Sequence, residues 1–95
     1  MPLTSQLKEE IIKYAQINGI KKVILFGSRA RGDNHERSDI DLAVSGGNPI
    51  RFHGDLEECA HTLLFFDVVD LDRPSLSQEL RKEIQQDGEL LYEEI

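Results

Sequence analysis

The sequence predicts a small α/β domain, a mixed sheet of three core strands with helices packed on one face and the opposite face left open. Three observations predict it. Apolar runs of strand length occur at Val23 to Phe26, Asp39 to Ser45 and Phe65 to Leu71. Segments with the helical period lie before, between and after them, at Leu7 to Asn18, Ile50 to Leu64 and from Ser75 to about Gln86. The chain has 95 residues, enough for one modest hydrophobic core, so a single domain over residues 1–95 is expected.

The elements follow in order. Thr4 or Ser5 can cap the first helix, Leu7, Ile11, Tyr14, Ala15 and Asn18 share its apolar side, and Gly19 stops it. Val23 to Phe26 is apolar at every position, the pattern of a strand buried on both faces. A short helix is expected to start at Ser28 and to break at Asp33-Asn34. The second strand ends at the loop Gly46-Gly47-Asn48-Pro49, and the helix after it is weakened by Gly54. Leu56, Cys59, Ala60 and Leu63 form the packing side of that helix. After the third strand, Ser75 with Gln78 reads as a capping box, opening a helix that stops at Gly88; the residues from Glu89 onward are expected to form a short turn.

The chemistry gathers in the stretch VILFGSRARGDNHERSDIDLAV, Val23 to Val44. Strand side chains alternate, so Asp39 and Asp41 project from one face while Ile40, Leu42 and Val44 project from the other. Two carboxylates this close repel unless a cation lies between them, and hard oxygen donors of this kind suit magnesium, which completes its shell with water and phosphate oxygens. The turn Gly27-Ser28 supplies a complementary anion site, because glycine lets a phosphate approach the backbone and N–H groups at a helix start attract it. Arg29 and Arg31 add fixed positive charge beside that turn.

Gly27-Ser28, a ten-residue spacer and Asp39-Ile40-Asp41 together resemble the signature of the DNA polymerase β nucleotidyltransferase superfamily. GSRARG followed by SDIDLAV resembles its minimal nucleotidyltransferase branch, that of the MntA-like antitoxins. A lone DxD is weak; the Gly-Ser turn, the spacing, the flanking strands and the arginines make this match specific. The resemblance implies the nucleotidyltransferase fold, ATP or another nucleoside triphosphate bound over Gly27, Ser28, Arg29 and Arg31, and two magnesium ions on the carboxylates. It also implies a third carboxylate from the third strand. Only one of Asp67 and Asp70 can face the site within a regular strand; Asp67 is the better match, so the implied catalytic and metal set is Asp39, Asp41 and Asp67.

Composition bounds the partners. The formal net charge is −7, which argues against a chain that grips nucleic acid by itself, since that binding depends on lysine and arginine. Arg29, Arg31 and Arg37 make a basic patch on an acidic body, suited to a small anionic substrate or a basic protein partner. The N-terminus lacks a signal-peptide pattern, no segment is apolar enough to span a membrane, and the single Cys59 excludes an internal disulfide, so a cytoplasmic setting is expected. His35, His53 and His61 have no ligand spacing to one another, which favours surface or packing roles.

The acceptor is not legible in the residues. Minimal nucleotidyltransferases are commonly encoded beside a helical HEPN protein, and the resemblance implies AMP transfer to a tyrosine of such a ribonuclease in a toxin–antitoxin pair, as a hetero-oligomer. Two other readings stay open: a non-catalytic binding antitoxin, and transfer to a small hydroxylated molecule whose pocket an oligomer completes.

Overall fold

Helix α1, Ser5–Ile17, begins where Thr4 Oγ1 accepts the Leu7 backbone N–H at 3.1 Å, and it buries Leu7, Ile11 and Ala15. Asn18 closes it, donating from Nδ2 to the Tyr14 carbonyl and to Asp55 Oδ2, both at 2.9 Å. In this computed structural model, residues 4–27, 30, 39–60 and 64–94 are described. The strands are β1 Lys22–Phe26, β2 Ile40–Ser45, β3 Phe66–Asp70 and β4 Glu89–Glu93. The remaining helices are α2 Pro49–Cys59 and α3 Gln78–Asp87.

The sheet order is β3-β2-β1-β4, with β2 and β3 parallel and the other pairs antiparallel. The α/β expectation and the mixed core of three strands hold, with β4 as a fourth. Nothing in the tail's own pattern marks it as a strand. It becomes one because β1 is apolar on both sides and its second edge takes β4, pairing Val23 with Tyr92 and burying Leu91 in the main core.

Helices α1 and α2 pack on the sheet face formed by Val23, Leu25, Ile40, Leu42, Val44 and Phe66. Phe52 of α2 is fully buried there. Helix α3 takes the other face, where Ile84 meets Phe26 and Ala43, so the expectation of helices on one face applies to α1 and α2 alone. Gly88 permits that seat: a Cβ would meet Ile24 Cγ2 at 2.6 Å as well as the Ile84 carbonyl.

Two boundaries differ from the sequence reading. Helix α2 ends at Cys59, which is exposed and whose side chain meets Tyr14 of α1. The cap of α3 is Ser77, whose Oγ accepts the Leu80 N–H at 3.2 Å. Ser75 is held instead in the turn after Pro74, which the Leu76 N–H to Arg73 carbonyl bond closes. At the same end of the sheet, Asp72 accepts Ser45 Oγ–H at 2.9 Å and the Gly46 N–H at 2.8 Å. These hydrogen bonds, the backbone one first, hold its carboxyl below the usual carboxylate range.

Candidate active site

The acids lie at the opposite end of β2. Ile40, Leu42 and Val44 are wholly buried against the helices, which turns Asp41 to the face that α3 shares. In the two ladders Asp41 stands opposite Phe26 of β1 on one side and opposite Asp67 of β3 on the other. The Ile40 N–H bond to the Phe65 carbonyl, 3.0 Å, starts the parallel pairing and sets that register. Asp41 is half-buried, while Asp67 and Asp39, the residue just before β2, are exposed. Asp70 accepts the Asp72 N–H at 2.9 Å and helps shape the turn after β3, as expected of the acid that does not share the Asp41 row.

Strand β1 delivers Gly27 to the same place. Gly27 has φ +77°, open to glycine and strained for other residues, and it is buried. A Cβ there would run into Asp41 Oδ2 and lie 3.2 Å from its Cγ. The glycine of the Gly-Ser turn therefore makes room for the carboxylate as well as bringing bare backbone to the site. Ala30 is helical and packs on the main core. Ser28, Arg29, Arg31, Arg37, His35 and His61 lie outside the described residues.

What the backbone assembles is a pair of in-register carboxylates, Asp41 and Asp67, with Asp39 two residues from Asp41. No group of three or more His, Cys, Asp or Glu side chains is gathered as a metal cluster among the described residues. The donors are all hard oxygens, with Asp39 and Asp67 exposed and Asp41 half-buried, so their chemistry fits a divalent cation with water and phosphate in its remaining positions. His53, not predicted to be a ligand, bonds the Phe66 carbonyl instead. Sequence reasoning did not anticipate that Phe26 would flank the acids beneath α3, although strict alternation from Leu25 places it on that face.

The chain belongs to the Polymerase beta, Nucleotidyltransferase family, whose model matches residues 9–94. Enzymes of this type use divalent metal ions. A protein of Methanocaldococcus jannaschii named "Putative protein adenylyltransferase MJ0604" is 35% identical over 81 residues, which is 77% of this chain and 79% of that one. A chain from a crystal structure of a toxin-antitoxin with AMP-PNP superposes with a TM-score of 0.74 at 27% identity, covering 92% of this chain and 73% of that one. A chain from the complex of a tri-AMPylated Shewanella oneidensis HEPN toxin with MNT antitoxin shares the fold, with a TM-score of 0.63 at 23% identity over 99% of this chain and 74% of that one. No helix among the described residues is long and apolar enough to cross a membrane.

Proposed function

We propose that this nucleotidyltransferase moves AMP from ATP to a protein hydroxyl, and that the acceptor is a tyrosine of a HEPN ribonuclease encoded beside it, which the transfer silences. The observation that carries the reading is the Asp41–Asp67 pair held against Gly27, in a chain of this family. The adenine nucleotide and the toxin partner are supported by the toxin-antitoxin structure with AMP-PNP, and the transferred group by the name of the Methanocaldococcus jannaschii relative. A cytoplasmic setting follows from the same reading, since ATP and a co-encoded partner meet there.

We assign Gly27 and Ser28 to the triphosphate, Gly27 by offering backbone without a Cβ and Ser28 by its N–H and hydroxyl, with Arg29 and Arg31 countering phosphate charge. Asp39, Asp41 and Asp67 would hold two magnesium ions, which offset the charge of the triphosphate and orient its α-phosphate. The acceptor oxygen bonds to the α-phosphorus as the bond to the β-phosphate's bridging oxygen breaks, and pyrophosphate departs in line. Asp67, exposed beside Asp41, receives the hydroxyl proton. The acid between it and Gly27 is less exposed, so Asp41 is the group that fixes the phosphate end.

The test incubates the chain with ATP, magnesium and the neighbouring-gene HEPN protein and follows the partner's mass. Stepwise AMP additions that vanish with Asp41→Asn are expected. Suppression of the ribonuclease with no change in its mass would replace this reading by the binding-only antitoxin.

A further inference from the structure

Strand β3 is an edge, and its outward backbone is treated differently at successive positions. The bonds from Ile40 N–H to the Phe65 carbonyl and from Leu71 N–H to the Val44 carbonyl, with the parallel register, direct residues 65, 67, 69 and 71 toward β2. Phe66, Val68 and Asp70 therefore turn their N–H and carbonyl groups outward. At Phe66 both are taken by α2: Glu57 Oε1 accepts its N–H at 2.7 Å, and His53 Nε2 bonds its carbonyl at 2.8 Å. At Asp70 the carbonyl accepts from Arg73 N–H at 3.2 Å. Val68 lies between Phe66, capped on both groups, and Asp70, capped at its carbonyl, with no such cap of its own among the described residues.

A groove of about 360 Å³ runs along this uncapped position. Ile50 and His53 of α2 form one wall, Leu76 and Leu80 the other, and Arg73 stands at its end. Ile50 is 85% exposed, a large apolar side chain held toward solvent where the groove opens. Arg73 has no ion-pair partner among the described residues. An unpaired strand edge between apolar walls is the geometry that accepts an added strand, with main-chain bonds supplying affinity and flanking pockets supplying selectivity.

The geometry points to the outer edge of β3 at Val68 as the docking groove for an extended segment of the acceptor protein, which adds as a strand and presents its hydroxyl to Asp67. This inference rests on the proposed transfer reaction and names how its acceptor is held. Three features select the occupant. The edge offers backbone donors and acceptors, so the ligand is a polypeptide in extended form. The walls favour β-branched or apolar residues, and Arg73 favours an acidic one. The groove's Val68 is one residue from the site, because Asp67 precedes it on the same strand. An added strand lies about 4.8 Å away, and its alternate side chains fall on the face of Asp67 and Asp41, so a tyrosine there reaches the carboxylates without any further domain. The caps at Phe66 confine pairing to Val68 and thereby set which residue is presented.

The experiment uses a pool of synthetic nine-residue peptides, each with one tyrosine among valines and threonines and half of them with an aspartate, together with tyrosine amide as an unstructured acceptor. Hydrogen exchange at the Val68 amide, read by NMR, should slow at least about tenfold when the pool is added, most with the aspartate peptides. Val68→Pro removes the outward N–H without removing a bond of the β2 ladder, at the cost of the valine's packing on the main core. It should lower kcat/KM for the peptides at least about tenfold, with the ATP Kd and transfer to tyrosine amide unchanged. Ile50→Asp, which leaves the backbone alone, should weaken peptide use in the same way. Unchanged Val68 exchange, or peptide use by both variants equal to the parent's, overturns the proposal. Failure of the parent chain to bind ATP with magnesium would sink the transfer reading instead, and slowed Val68 exchange would still establish the peptide groove.

Discussion

The carboxylate of Asp41 rests over the Cα of Gly27, in the space where any other residue would carry its Cβ. Gly27→Ala should therefore injure the site twice. The side chain would occupy a positive-φ position, costing about 1–2 kcal/mol, and would push Asp41 out of its row with Asp67. Calorimetry should find ATP binding lost, while circular dichroism finds the fold retained. Unchanged ATP affinity would mean that the phosphates bind elsewhere.

Asp41 and Asp67 are like charges directly across a strand pair, an arrangement that opposes folding by about 0.2–1 kcal/mol. Asp41→Asn and Asp67→Asn are expected to cut nucleotidyl transfer by about a hundredfold or more, the scale of losing one preorganised electrostatic contact. The urea midpoint of Asp67→Asn should stay level or rise. Transfer within a few-fold of the parent would remove these acids from the reaction.

Asp72 gives the pH dependence a definite sign. Its hydrogen bonds to Gly46 and Ser45 depress the folded-state pKa, so its contribution is present above the unfolded value and disappears as pH falls through the lower, folded one. Thermal melts from pH 6 down to 2 should show the parent losing stability below the ordinary aspartate value of about 3.9. Asp72→Asn should lie below the parent near pH 6 and converge with it at the acid end.

The core and the groove should separate cleanly under mutation. Phe52 is fully buried, and Phe52→Ala should cost about 3–5 kcal/mol, a large part of the stability of a chain this size. Ile50, two residues earlier on the same helix and 85% exposed, should change the unfolding free energy by no more than about 0.5 kcal/mol when replaced by alanine. Chemical denaturation of both variants checks the contrast.

Much of the fold could be read in the chain because the deciding forces were local. Thr4 as a cap, Leu7 with Ile11 and Ala15 at the helical period, and Ile40 alternating with Asp41 each follow from a few neighbouring residues. The alternation of Asp39 and Asp41 about Ile40 and the glycine at the end of β1 were legible for the same reason, and family membership came with them. Tertiary structure decided what depends on partners distant in sequence. The tail pairs with β1 because that strand's second edge needs hydrogen bonds, and α3 covers Phe26 because Gly88 lets it approach Ile24. The Asp41–Asp67 register was decided in the same way, by a parallel ladder that joins segments separated by all of α2. Side-chain period can assign a carboxylate to a face, but only the long-range backbone bonds choose which carboxylate stands beside it.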